Sequence, residues 1–385
     1  MSDDSIKSLV LELLREAREQ EQTTTANLSA AEREATGTWE QWSAKDTFSQ
    51  IAFWKRLQTG KLRTALRGEP LPVWNTSEIV DPLNREHYAQ WQQRPWDTIA
   101  AESEGAYDEL AAQVRAMTEA ELTEDRHDGG ALWPETLGNG IWYPYTELIR
   151  LARRRGDAEG EACVVAARIA GNERVLAALR ASGAGNFPIA NHAYNLACYN
   201  ALAGNAERAI ALLGEAFELR HGLMTLGLQD SDLDSLRGLP AFQALYAGYV
   251  DDSADKLIAR ETVRERQDAD PNTAPVLVDV RNPAEYAAGH IAGAVNIPLD
   301  ALDARREELP QGRLVVTYCN HQHRGVARCE QAVDVLRQRG YDARALDGGY
   351  PQWRDADLPV VAQAAVGASD AKTSVGASGG RPQTE

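Results

Sequence analysis

Hydrophobic residues recur at helical spacing through the first 155 residues. The first stripe lies between residues 5 and 20 and consists of Ile6, Leu9, Val10, Leu13 and Leu14. Ser43-Ala44-Lys45-Asp46 is typical of a helix start, and it opens a second helix that carries Phe48, Ile51, Ala52 and Trp54. Similar patterns run from 97 to 117 and from 142 to 155. Residues 1–155 are therefore predicted to form an all-α four-helix bundle.

Between residues 156 and 250 the pattern changes to alanine-rich helices. Ala197 and Ala209 are predicted where two helices approach closely, and Gly204 where the chain turns between them. This spacing resembles a tetratricopeptide repeat (TPR), with residues 163–178 as a weaker preceding helix pair. One or two repeats are too few for a long solenoid. The TPR-like segment is therefore predicted to be a spacer or a docking face for a protein partner.

Strand and helix patterns alternate between residues 256 and 362. Strands are predicted at Val276 to Val280, Val315 to Tyr318 and Ala343 to Leu346, and a helix at Arg328 to Arg339. This alternation predicts an α/β domain with a parallel sheet and helices on both faces. Residues 363–385 are mostly Ala, Gly, Ser and Thr, which predicts a disordered tail.

A short polar loop follows the second of these strands. It consists of Cys319, Asn320, His321, Gln322, His323, Arg324 and Gly325. A strand, a loop and a helix in this order place the cysteine sulfur over a helix N-terminus, where backbone N–H groups and the helix dipole stabilise a thiolate or an anion. Arg324, and the two histidines when protonated, add positive charge. This loop is therefore the candidate site of chemistry.

The chain is acidic, with 40 basic and 57 acidic residues and a formal net charge of −17. Nearly all of the excess, −15, lies in residues 1–255. Such a surface repels phosphate backbones, so no binding of nucleic acid is predicted. No apolar run approaches the roughly 18 residues of a membrane helix, and the first residues lack the pattern of a signal peptide. The four cysteines show no CxxC pair, which favours the reducing cytoplasm.

Three ordered motifs resemble those of the rhodanese sulfurtransferases. Residues 276–298 are similar to the first signature of that family, and residues 346–353 are similar to its closing motif. Cys319 and Arg324, with four residues between them, are similar to its active-site loop. The resemblance implies a rhodanese domain over residues 256–362, a persulfide on Cys319, a small donor such as thiosulfate, a thiol or cyanide acceptor and no cofactor. It also implies structural roles for Asp279, Arg281 and Glu285.

Sulfur transfer needs a nucleophile that attacks a sulfane sulfur, holds it as a persulfide and offers it to an acceptor. A thiolate does all three when its pKa falls well below the free value of about 8.5. In this interpretation Cys319 is the catalytic residue. Residues 320–325 form the substrate-binding loop, in which Arg324 attracts an anionic donor.

Other interpretations of the loop stay open. Related phosphatases have five residues between cysteine and arginine, so the shorter spacing favours sulfur over phosphate. Cys319 also fits a cysteine that only packs at a strand end. Cys329 fits a resolving thiol, although its spacing from Ala332 and Leu336 favours a core helix face. Gln322 stands where glycine is frequent in the family, which favours the alternative of a non-catalytic interaction or sulfur-sensing protein.

Residues 42–46 and 139–148 resemble the DinB-like bundle family, including its colibactin self-resistance branch. Metal-binding members of that family have histidines where this chain has Gln50, Tyr143 and Glu147. Imidazole is the ligand that such a borderline divalent ion prefers, and two of the three replacements are poor ligands. No metal is therefore predicted at this site. A metal-independent hydrolytic or detoxifying activity of the bundle is a third interpretation.

Overall fold

The structure is a computed structural model that describes residues 5–69, 71–72, 77–124, 131–249, 253–270, 273–299, 301–320 and 327–362. Its first helices are α1 (Ile6–Ala26), α2 (Ala30–Glu34), α3 (Ala44–Leu66), α4 (Ser77–Trp91), α5 (Trp96–Ala116), α6 (Glu119–Thr123), α7 (Leu132–Leu137), a π-helical segment (Gly138–Trp142) and α8 (Tyr143–Arg155). They are followed by α9 (Ala158–Ala181), α10 (Asn186–Leu202), α11 (Ala206–Leu219), α12 (Leu223–Gln229), a 3-10 helix (Ser231–Leu236) and α13 (Pro240–Leu245).

Strands appear only in the C-terminal part of the described chain. The elements there are α14 (Ser253–Lys256), β1 (Leu257–Ile258), α15 (Arg260–Ala269), β2 (Val276–Asp279), α16 (Pro283–Ala288), β3 (Gly289–Ile291), β4 (Val295–Asn296), α17 (Leu302–Arg305), a 3-10 helix (Arg306–Glu308), β5 (Val315–Tyr318), α18 (Arg328–Gln338), β6 (Ala343–Leu346), α19 (Gly349–Asp355) and β7 (Val360–Ala362). The predicted fold class, a helical N-terminal half followed by an α/β domain with a parallel sheet, is confirmed.

The four helices predicted in the first 155 residues, α1, α3, α5 and α8, share one apolar core. The predicted start of α3 is present as a capping box, in which Ser43 N donates to Asp46 Oδ2 at 2.8 Å and Asp46 N donates to Ser43 Oγ at 3.3 Å. Helix α4 was not predicted, because Pro82 lies inside it and proline normally ends a helix. No helix of the described residues is long and apolar enough to cross a membrane.

His87 of α4 is buried between two aromatic rings. Its imidazole stacks on Phe53 at 4.3 Å and on Trp91 at 5.5 Å, and Nε2 lies 2.8 Å from Ser49 Oγ. Burial lowers the pKa of His87 to about 4, although the Ser49 carbonyl and Glu102 oppose the shift. The folded bundle therefore prefers the neutral imidazole.

The unfolded chain binds a proton at His87 at a higher pH than the folded chain does. The stability contributed by the neutral ring is complete above pH 6.5 and is lost as the pH falls toward 4, at a total cost of about 3 kcal/mol. Urea unfolding of the bundle at pH 7, 5.5 and 4 measures this loss. His87→Gln is the control, and an equal loss in that variant would contradict the assignment.

Helices α10 and α11 form the predicted pair of closely packed helices. Ala197 and Ala209 are fully buried, and Gly204 turns the chain with a φ of +80° that favours glycine. Residues 163–178 lie in the single helix α9, so the predicted preceding helix pair is wrong. Helix α9 contributes residues to the bundle core and to the α10–α11 core. The limits 1–155, 156–250, 256–362 and 363–385 stay predictions, and the last range lies outside the described residues.

A five-stranded parallel sheet of order β1-β6-β5-β2-β4 organises the C-terminal domain. The central strands are the three predicted ones, and Val276 pairs with Val315, which pairs with Ala343. Alternate residues of these strands point to opposite faces, so one core forms against α17 and α18 and another against α15 and α19. Trp353, 1% exposed, packs on the second face. Strands β3 and β7 form a separate antiparallel pair.

Candidate active site

Cys319 lies directly after β5, at the carboxyl edge of the sheet. Its carbonyl oxygen accepts a hydrogen bond from Tyr350 N at 2.8 Å, which ties it to the start of α19. The residue is only 3% exposed. A molecule that reacts at its sulfur must therefore be small or must displace neighbouring groups. The carboxyl edge of a parallel sheet is a common location for ligand sites.

Most of the predicted loop lies outside the described residues. Of the predicted site residues, the structure describes Cys319 and Asn320. His321, Gln322, His323, Arg324 and Gly325 fall in the range 321–326, which it does not describe. The ring of backbone amides and the role of Arg324 therefore stay predictions.

Glu285 connects three segments around Cys319. Its carboxylate is buried, and it accepts hydrogen bonds from Arg328 Nη1 at 2.8 Å, from Arg328 Nη2 at 2.9 Å and from Asn320 Nδ2 at 2.9 Å. Arg281 Nη1 donates to Asn320 Oδ1 at 3.3 Å. Asn320, the residue after Cys319, and Arg328, the first residue of α18, are thus held by one carboxylate of α16.

Arg328 supplies a cation close to Cys319 that sequence reasoning missed. Burial lowers its pKa, but the hydrogen bonds to Glu285 and the charges of Glu285 and Cys319 raise it more, so the pKa lies above its usual value. The guanidinium is therefore charged at every relevant pH. The available signal was its place at the N-terminus of the predicted helix.

Arg328→Met is expected to lower kcat/KM for a sulfane donor about tenfold and to raise the pH midpoint of Cys319 alkylation by about one unit. The variant removes the cation and leaves the buried Glu285 carboxylate without its bidentate partner. Iodoacetamide alkylation against pH measures the midpoint. Arg339→Met, on the exposed end of the same helix, is the matched control. Glu285→Gln combined with Arg328→Met should recover part of the loss, and no recovery would show that charge is not the cause.

Cys329 is completely buried in the second position of α18, which confirms the predicted core helix face. Its sulfur also lies 3.2 Å from the sulfur of Cys319. Burial, together with the hydrogen bond to Cys319, holds the pKa of Cys329 well above its usual value. The Thr317 hydroxyl donates to the Cys329 carbonyl oxygen at 2.8 Å. The structure therefore brings together two thiols that the sequence separates by ten positions.

Asp279 and Arg281 form a buried ion pair below the site. Asp279 accepts from Arg281 N at 2.9 Å, Nε at 3.0 Å and Nη2 at 2.6 Å. Arg281 Nη2 also donates to the Gly289 carbonyl at 2.7 Å, and its guanidinium lies 4.4 Å from the Tyr350 ring centre. These contacts support the structural role implied for both residues.

The helical half contributes a half-buried arginine near α18. Burial lowers the pKa of Arg220, at the end of α11, to about 10, and the charge of Glu330 opposes the shift. Glu330 follows Cys329 and is 1% exposed. A residue of the helical half is thus electrostatically coupled to the turn that carries the second thiol.

In two polar clusters of the described helical half, the polar groups bond mainly to one another. Gln50 and Trp54 donate to Asn84 Oδ1, Tyr143 is hydrogen bonded to Gln50, and Glu147 accepts from Arg150 at 2.6 Å.

The ligand atoms of Cys198, Asp230 and Asp232 lie within 4.8 Å of one another, a group that sequence reasoning missed. Asp230 accepts there from Tyr194 at 2.8 Å, and burial raises the pKa of the Cys198 thiol, which disfavours metal ligation. The absence of a metal stays a prediction.

Comparison with known proteins gives several matches. The Rhodanese-like domain family matches residues 259–356. A sulfurtransferase of Allochromatium vinosum is 43% identical over 89 residues, which are 23% of this chain and 78% of the relative. The HTH-type transcriptional regulator Rv0324 of Mycobacterium tuberculosis is 40% identical over 127 residues, which are 33% of this chain. The chain spans 54% of that regulator.

A full-length protein from Lactobacillus plantarum, known from a crystal structure, is 29% identical. The match covers 29% of this chain and 90% of that chain, with a TM-score of 0.26. The DinB-like and TPR-like resemblances of the N-terminal half stay predictions.

Proposed function

Because the chain belongs to the rhodanese-like domain family through residues 259–356, we propose that it moves sulfane sulfur from a donor such as thiosulfate to a thiol or cyanide through a persulfide on Cys319. The observation that carries the proposal is the place of Cys319, between the carboxyl end of β5 and a helix that begins with a charged arginine. The proposal includes a cytoplasmic location, where a thiolate stays reduced, and the division into a helical bundle, a TPR-like segment and a rhodanese domain.

The proposed reaction has two steps. The Cys319 thiolate attacks the outer sulfur of thiosulfate, the sulfur–sulfur bond of the donor breaks, and sulfite leaves with its electron pair. The acceptor then attacks the outer sulfur of the persulfide and regenerates the thiolate, so that cyanide becomes thiocyanate. Arg328 favours the anionic cysteine and the approach of an anionic donor.

Sulfur loading of the full chain is the direct test. Thiosulfate added without an acceptor is expected to release sulfite, because Cys319 takes the outer sulfur. Sulfite is measured in the filtrate. The same loading is repeated with the Cys329→Ser variant, which removes the neighbouring thiol. Tryptic mass spectrometry of that variant is expected to show one additional sulfur on the peptide of residues 314–324. A chain that releases no sulfite with thiosulfate, and none with a polysulfide donor, would exclude the proposal.

The second candidate is a sulfur-sensing or interaction protein. The charge of Glu330, the residue after Cys329, acts on Arg220 of the helical half, and this supports the second candidate because a change at the thiols would occur next to that charge. One relative carries the name of a transcriptional regulator. Persulfide formation on Cys319 without turnover of cyanide or any thiol would favour this function over the enzyme.

A further inference from the structure

The sulfur atoms of Cys319 and Cys329 are closer than an ordinary non-bonded contact. They lie 3.2 Å apart, and a disulfide bond measures about 2.05 Å. The two atoms therefore need to approach by only about 1 Å.

The main chain on both sides of the pair is anchored to the sheet. The Thr317 hydroxyl, two residues before Cys319, donates to the Cys329 carbonyl oxygen at 2.8 Å and to the Arg344 carbonyl oxygen at 3.3 Å. Tyr350 N donates to the Cys319 carbonyl oxygen at 2.8 Å. The contact between the sulfurs is thus set by the central strand, the first turn of α18 and the start of α19 together.

We propose that Cys329 is a resolving thiol, which attacks Sγ of the Cys319 persulfide, forms a Cys319–Cys329 disulfide and releases the outer sulfur as hydrosulfide. This inference rests on the proposed function, since the persulfide is its starting point. In addition to passing its sulfur to an acceptor, the Cys319 persulfide could then lose that sulfur as sulfide, without an external acceptor.

The atoms and electrons of the step balance. The bond between Cys329 Sγ and Cys319 Sγ forms, and the bond between Cys319 Sγ and the outer sulfur breaks. The outer sulfur leaves with the bonding electron pair and takes the proton of Cys329, so the two cysteines are oxidised and the transferred sulfur is reduced. Because burial raises the pKa of Cys329, its thiol must lose the proton as it attacks, and the leaving sulfur accepts that proton.

The cycle closes with a dithiol reductant. An external dithiol attacks the disulfide, both cysteines return to thiols, and the dithiol becomes a disulfide. Cys329 is completely buried, whereas Cys319 retains 3% exposure, so the attack is expected at the Cys319 sulfur. The substrates of this second activity are a sulfane sulfur donor and a dithiol, and its products are hydrosulfide, the desulfurated donor and an oxidised dithiol.

A single turnover without any reductant or acceptor tests the proposal. The full chain is reduced, freed of reductant and given one equivalent of thiosulfate. The wild type is expected to release sulfite and an equal amount of sulfide. Trypsin cleaves after Arg324 and Arg328, so the disulfide appears as a linked pair of peptides, 314–324 and 329–337. This measurement needs no variant.

Cys329→Ser is expected to release the same sulfite but at least about tenfold less sulfide, and to retain the persulfide on peptide 314–324. Cys163→Ser, which changes an exposed cysteine of the helical half, should behave as the wild type. Sulfite release by the wild type without sulfide or linked peptides would overturn the resolving role and leave the proposed function intact. Equal sulfide from the wild type and Cys329→Ser would also overturn it. No sulfite from the wild type would overturn both proposals.

Discussion

Cys319→Ser is expected to lower kcat/KM for sulfur transfer from thiosulfate to cyanide by at least about a thousandfold. A serine hydroxyl is not ionised near neutral pH, and it forms no persulfide. Cys319 and serine are similar in size, so the buried position at the end of β5 should retain its packing. Thiocyanate formation under initial-rate conditions measures the effect.

Cys163→Ser is the matched control for this loss, because it removes a thiol that is exposed in the helical half. It is expected to keep the wild-type rate. Equal melting curves of both variants and the wild type would show that the loss is chemical. A Cys319→Ser protein that keeps more than about a tenth of the rate would place the nucleophile elsewhere.

Arg281→Met is expected to destabilise the α/β domain by about 3–5 kcal/mol. Asp279 is completely buried, and its carboxylate accepts hydrogen bonds from three donors of Arg281, N, Nε and Nη2. The substitution removes two of these donors, one of the donors to the Gly289 carbonyl and the cation over Tyr350. An uncompensated carboxylate then remains in a low-dielectric interior, and this is the main cost.

Urea-dependent hydrogen exchange of peptides from β2 and β5 measures this stability separately from that of the helical half. Replacement of both charges, Asp279→Asn with Arg281→Met, is expected to recover part of the loss, because no buried charge is left without a partner. Arg339→Met breaks an exposed pair with Asp303 and should leave the exchange unchanged. A single Arg281→Met variant as stable as the wild type would show that the pair contributes little.

The central part of the sheet was predictable because its strands are continuous apolar runs buried on both faces. Val315, Val316 and Tyr318 show no exposure, and such a run between a turn and a helical pattern has few other interpretations. Strands β1 and β4 have two residues each, too few to produce a period. The pair β3–β7 joins segments about 70 residues apart, so its pairing depends on the tertiary fold.

The position of Cys319 was predictable for a different reason than its surroundings were. Cys319 was identified from three short motifs that follow one another in a fixed order along the chain. The hydrogen bond between Arg328 and Glu285 joins residues that are 43 positions apart in the sequence. The spacing of residues within a helix or a loop gives no information about such a pair. Cys329 shows the limit most clearly. Its helical period correctly predicts burial, but the distance between two sulfur atoms depends on side-chain rotamers that no period encodes.

Strand β1 determines how the C-terminal domain can be isolated. Leu257 and Ile258 pair with Ala345 and Leu346, and they precede residue 259, where the family match begins. A fragment cut at that family limit would leave the outer hydrogen-bonding row of β6 bare, which is a template for edge-to-edge aggregation. Whether the excised domain aggregates therefore depends on Leu257 and Ile258, which lie between the helical half and the family match.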